Sequence, residues 1–166
     1  MLAGSGFEVG SHSASNQTLT KLGSRGRATE ITDAVNALSK LTGRPTMLFR
    51  PPYGAHNERI DAMMAKQNLA MINWAADSND WQNRDAGKIT KAVTQYAATY
   101  TQPIIVLHDT YQATADATSG LIEALRHKGM TLVTVSELTV NTGGLEAGKV
   151  YCRGTAVNQS GFGCHS

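Results

Sequence analysis

Pro103-Ile104-Ile105-Val106-Leu107-His108-Asp109 is a short apolar run, rich in β-branched side chains, that stops at a histidine and an aspartate. It is too brief for a helix and too uniformly apolar for a half-solvated strand, so it reads as a strand of a parallel sheet, covered on both faces. Runs of similar length recur at Phe7-Glu8-Val9-Gly10-Ser11-His12, Thr46-Met47-Leu48-Phe49-Arg50, Ala70-Met71-Ile72-Asn73-Trp74 and Thr131-Leu132-Val133-Thr134-Val135. Longer segments of helical period separate them. The first sets Ala28, Ile31, Ala34, Val35, Leu38 and Leu41 on one face and stops at Gly43, ahead of Pro45. The second uses Ile60, Met63 and Met64; the third follows Asp85 as N-cap and buries Ile89, Val93, Tyr96, Ala97 and Tyr100; the fourth carries Leu121, Ile122 and Leu125 and ends at Gly129. The alternation predicts an α/β fold of about five parallel strands with helices outside.

Polar residues of unusual type follow four of these strands: His12, Arg50-Pro51-Pro52-Tyr53-Gly54, Asp77-Ser78-Asn79-Asp80-Trp81 with Arg84, and His108-Asp109. In parallel α/β folds the loops after the strands converge on one mouth and carry the chemistry. Each group has a plain structural reading: a hydrogen-bonded strand-end histidine, a rigid turn with a surface arginine, a buried tryptophan, a histidine at the core edge. Their regular placement at successive strand ends points instead to a site. His56, His127 and His165 fall outside these groups and read as surface residues.

The composition, 166 residues with 41% hydrophobic, 17% charged and a net charge of +2, fits a folded domain and implies neither a nucleic-acid partner nor a membrane. No apolar run reaches the roughly 18 residues of a membrane span, and Met1-Leu2-Ala3-Gly4 lacks the features of a secretory signal. Cys152 and Cys164 lie in a Gly-rich segment, 148–166, without helix or strand period. A local disulfide there would imply an oxidising compartment; two free thiols, or a zinc site that also uses His165, are the alternatives. Asn16-Gln17-Thr18 and Asn158-Gln159-Ser160 fit the glycosylation sequon.

Arg50-Pro51-Pro52-Tyr53-Gly54, Asp77-Ser78-Asn79-Asp80-Trp81, Val106-Leu107-His108 and the segment from His12 to Asn16 resemble, in order and spacing, four motifs of the polysaccharide deacetylases of the NodB type, carbohydrate esterase family four. The resemblance runs from Gly6 to about Leu138. It implies an incomplete, N-terminally truncated (β/α) barrel at residues 1–140, followed by a C-terminal tail at 141–166, and removal of N- or O-acetyl groups from chitin-like, peptidoglycan or acetylxylan substrates. By the same resemblance, His108 donates the leaving-group proton, Asp80 supports that imidazole, Arg50 orients a catalytic carboxylate, and the N–H of Tyr53 holds the oxyanion. Trp81 and Leu107 would wall the acetyl pocket. His12 would bind a divalent ion, zinc with cobalt or nickel as alternatives, and Asn16 stands where the family has its second histidine. Asn16 or Asp109 would have to complete such a site, because the family's Asp-Asp segment, source of its base and another ligand, has no counterpart: no two aspartates are adjacent in this chain. The resemblance thus implies a secreted hydrolase, or alternatively a non-catalytic glycan-binding relative or an inactive fragment, with self-association through exposed strand edges.

Overall fold

The computed structural model describes residues 4–157 and 164. β1 (Leu48–Phe49) runs parallel to β2 (Ala70–Ile72), pairing Leu48 with Ala70 and Phe49 with Met71. On the outer side of β1, Ser11 makes one parallel bridge to Phe49, donating its N–H to Leu48 O and accepting from Arg50 N, both at 2.8 Å. The approach is so close that a Cβ on Gly10 would lie 2.9 Å from Leu48 Cβ. β3 (Ala76–Asp77) and β4 (Ile105–Val106) form a second parallel pair. The fold is α/β with parallel strands and flanking helices, and no closed barrel forms among the described residues.

The strand list differs from expectation: of the run 7–12 only the Ser11 bridge remains, β3 lies beyond the expected run at 70–74, and two further segments change. Residues 131–135 are not a strand. Thr134 accepts from Glu137 N and Glu137 returns its carboxylate to Thr134 N, a capping box that opens α6 (Val135–Thr139). The Thr-Val-Ser-Glu pattern outweighs the β-branched run. Conversely, the segment 148–166, which lacks a sequence period, contributes β5 (Val150–Tyr151), parallel to β2, and β6 (Ala156–Val157), antiparallel to β5. The sheet order is therefore β1-β2-β5-β6, with β5 interior. Two-residue strands are too short to show a period, so no pattern announced β5. Val150, Tyr151, Cys152 and Cys164 are all buried, and the structure pairs the two cysteines with Cα atoms 6.0 Å apart.

The first helical segment is broken as α1 (Ser24–Ala28), a π turn (Thr29–Asp33) and α2 (Ala34–Thr42), ending at Gly43 with φ +69°. The π turn adds a residue to the turn and shifts the face. Ile31 and Val35 are buried as expected, but Glu30 is buried as well, while Ala28 and Leu41 are exposed, contrary to the helical reading. α3 (Glu58–Lys66) is capped by Asn57 and buries Ile60 and Met64. α4 (Ala86–Thr99) is capped by Asp85 and packs Val93 and Ala97 on Leu121 and Leu125 of α5 (Gln112–His127). Tyr96 is exposed rather than buried, lying on the solvent side of α4 with its ring parallel to that of Tyr100. His127 is exposed as expected. His56 is not a surface residue: it is buried, with Nδ1 2.9 Å from Asp61 Oδ1. His165 and the sequon at Asn158 lie outside the described residues.

Candidate active site

After β3 the chain turns sharply. Asp77 accepts from the N–H of Asn79 at 2.8 Å and from Trp74 Nε1 at 3.0 Å, and Asn79 takes the left-handed conformation with φ +52°. An Asx turn of this kind aims the next residue, Asp80, inward. Its side chain is fully buried and accepts three hydrogen bonds: from His108 N at 2.6 Å, from Thr114 Oγ1 at 2.8 Å and from His108 Nδ1 at 2.7 Å. Because an ionised carboxylate only accepts, the proton sits on Nδ1 and Nε2 is left free. The His108 side chain is one-third exposed, so the ring is open to solvent in part. Burial works against the charged form of Asp80, but the bonds from His108 and Thr114 outweigh it and hold the carboxyl below its ordinary pKa.

His12 is fixed by a different device. Its Nδ1 lies 2.6 Å from Arg50 O, the residue that continues the backbone ladder past Ser11, so Nε2 is again the free nitrogen. Burial lowers the His12 pKa; the bond to Arg50 O opposes this, and the charges of Arg50 and His108 add to it. The charges of Arg50 and His108 thus both bear on His12. Arg50 is half-buried, which lowers its pKa, and no carboxylate among the described residues pairs with it.

The segment Pro52–Gly54 is a 3-10 turn in which Tyr53 takes φ +60°, a conformation that a non-glycine residue holds only when its surroundings impose it. Gly54 N–H donates to Pro51 O at 3.0 Å, which leaves the Tyr53 N–H ahead of the first bond of the turn. The Tyr53 ring is exposed. Asn73, buried just after β2, donates Nδ2 to Gly54 O at 3.1 Å, and its Oδ1 has no partner among the described residues. Trp81 is half exposed, whereas Leu107 packs back against the Val93 and Leu121 cluster.

Sequence reasoning did not find Thr114, Asn73 or Glu30. Asn73 stood at a recognised strand end and was open to inspection. Thr114 sits in the first turn of α5 and Glu30 in the π turn, positions whose neighbours only tertiary packing reveals. Glu30 accepts from Ala14 N at 3.1 Å, Ser15 N at 2.9 Å and Ser15 Oγ at 2.5 Å, tying down the loop that carries His12 to Asn16. Within that loop Ser13 and Asn16 have φ of +67° and +58°.

Asn16 is exposed, and among the described residues no three of His, Cys, Asp or Glu converge on a point that would hold a metal ion. One imidazole and one surface amide do not make a zinc site, which takes three or four strong donors. The residues present do not fit the metal that the motif pattern implies.

The family model described as polysaccharide deacetylase matches residues 1–72. The peptidoglycan-N-acetylmuramic acid deacetylase PdaC of Bacillus subtilis is 36% identical over 80% of this chain and 27% of its own length. The peptidoglycan-N-acetylglucosamine deacetylase PgdA of Listeria monocytogenes is 33% identical over 88% of this chain and 30% of its own. The chain thus spans less than a third of these curated relatives. Among solved structures, the family 4 carbohydrate esterase from Streptomyces lividans in complex with acetate is 30% identical, with a TM-score of 0.74 over 87% of this chain and 72% of that one.

Proposed function

Because the chain belongs to the polysaccharide deacetylase family, we propose that its site removes acetyl groups from a polysaccharide, with these residues supplying the proton-donor and oxyanion side of the reaction. The observation that carries the reading is the buried Asp80 carboxylate, which accepts from His108 Nδ1 and leaves Nε2 free on a partly exposed ring. Such a carboxylate fixes the tautomer and stabilises the imidazolium, as in other carboxylate-histidine pairs. As the imidazolium, protonated on both nitrogens, His108 gives its Nε2 proton to the departing amine or alcohol and keeps the one on Nδ1, and the Tyr53 N–H donates to the oxyanion that forms on the acetyl carbonyl oxygen. The left-handed turn at Tyr53 and Gly54 and the bond from Asn73 keep that N–H in place. Trp81 walls the acetyl pocket, with Leu107 behind it. Arg50 orients a carboxylate base, which this chain's described residues do not include.

The peptidoglycan deacetylases among the relatives favour a peptidoglycan-type substrate, with chitin-like chains and acetylxylan as alternatives. A secreted setting and a formed Cys152–Cys164 bridge are part of the same proposal, supported by the burial and proximity of the two cysteines. So is self-association through the uncovered strand edges. The family's divalent ion would require donors beyond His12 and Asn16.

The test is acetate release from acetylated chitooligosaccharides, peptidoglycan and acetylxylan, with and without added Zn²⁺, Co²⁺ or Ni²⁺. Release that drops about 100-fold or more in His108→Ala supports the acid role; an unchanged rate removes it. A second reading, a glycan-binding relative that does not hydrolyse, is favoured by the lack of a metal-holding cluster among the described residues. Glycan binding without acetate release would select it.

A further inference from the structure

Resting on the reading of His108 as a proton donor in a glycan cleft, we propose that Arg84 recognises a carboxylate carried by the polysaccharide near the acetylated sugar. Arg84 lies in the turn between Asp80 and α4 and is exposed. Its guanidinium carbon sits 5.1 Å from the centroid of the Tyr111 ring. That ring in turn meets the His108 imidazole at its edge, with centroids 6.2 Å apart and planes at 65°. The cation is thereby fixed one aromatic ring away from the candidate catalytic nitrogen. A guanidinium over an aromatic face still directs its N–H donors outward, within its own plane.

Arg84, Thr110, Tyr111, Gln112 and Asp116 line an open pocket of about 430 Å³ at this place. Two carboxylates are close in sequence or line the pocket, and each has one oxygen engaged elsewhere. Asp85 Oδ1 accepts from Lys88 N at 2.8 Å as the cap of α4, and Asp116 Oδ1 accepts from Gln112 Nε2 at 2.8 Å. Among the described residues Arg84 has no ion-pair partner. A guanidinium held by an aromatic ring in the lining of a pocket, without a counter-ion among the described residues, matches the two-oxygen geometry of a carboxylate better than the single oxygens of sugar hydroxyls.

Two glycan groups present this chemistry: the lactyl carboxylate of a muramic acid and the carboxylate of a uronic acid branch on a xylan. Calorimetric titration of the full chain separates them. One arm uses an oligomer of alternating N-acetylglucosamine and N-acetylmuramic acid with free carboxylates, the other a glucuronic-acid-substituted acetylated xylooligosaccharide, and each is compared with its own carboxamide form. The expected result is about fivefold tighter binding of the free carboxylate form in one arm, the upper range for an exposed ion pair. That preference should vanish in Arg84→Gln, survive in part in Arg84→Lys, and shrink as salt is raised. Equal affinity of acid and carboxamide in both arms, a preference that persists in Arg84→Gln, or no binding in either arm would overturn the proposal. Because binding is read without turnover, failure of the deacetylase reading, seen as no acetate release, stays distinct from failure at Arg84.

Discussion

Asp80 is pulled in two directions, burial favouring its neutral form and the bonds from His108 and Thr114 favouring its charge, and the second prevails. A carboxyl whose folded pKa is depressed adds stability above its unfolded pKa of about 3.9, and that stability is lost as pH falls through the lower folded value. Urea unfolding of the wild type should therefore weaken below about pH 4, and Asp80→Asn should flatten that acid limb. Asp80→Asn also loses the carboxylate that fixes the tautomer, so acetate release should fall by about 100-fold or more. A rate within twofold of wild type would argue against the pair. Thr114→Val, which deletes one of the three bonds, should raise the midpoint of the acid limb while leaving Nδ1 engaged. His108 was legible in the sequence because a polar residue closing an apolar run has no packing reason to be there, and Asp80 because Asp77 to Trp81 resembles a family motif. Thr114 was not, since nothing local distinguishes it from the other threonines of α5.

Glu30 links a helix to a site loop. Its carboxylate is buried against the residues after His12, and burial is again outweighed, here by bonds from Ser15, Ser13 and Ala14. Glu30→Gln keeps the shape but turns one acceptor into a donor facing other donors. It should destabilise the protein by about 1–3 kcal/mol, and the amides of Ala14 and Ser15 should exchange with solvent well before those of β2. Exchange of those amides at the wild-type rate would show that the loop holds itself. The seating of β5 has a similar single point of dependence. Gly148 takes φ +77°, and a Cβ there would lie 2.7 Å from Ala65 Cβ on α3. Gly148→Ala thus combines strain with a clash and should lower unfolding stability by more than the roughly 1 kcal/mol typical of a point substitution; a change under ~0.5 kcal/mol would mean that α3 yields freely. The long helices α4 and α5 were readable from the sequence because their apolar faces repeat over about four turns. β5 was not, because two residues carry no period, and 131–135 misled because its β-branched composition hid a capping box.

Among the described residues, the Asp80–His108 pair and the left-handed turn at Tyr53 are both built, whereas no cluster of strong metal donors is. The difference has a thermal signature. A ligand that binds only the folded state stabilises it by about 2.7 kcal/mol when present at 100 times its dissociation constant. For a protein of this size each kcal/mol moves the melting temperature by roughly 2–4 °C, so a built zinc site of micromolar affinity would raise it by roughly 5–10 °C at 100 μM Zn²⁺. His12 with an exposed Asn16 should give no more than about 1 °C, because one imidazole and one amide leave the ion largely to water. Differential scanning calorimetry of the full chain after chelation, with and without Zn²⁺, separates the two outcomes. One tightly held equivalent of zinc, lost together with the shift in His12→Ala, would mean that other residues of the chain complete the site, and would restore metal-assisted attack on the acetyl group.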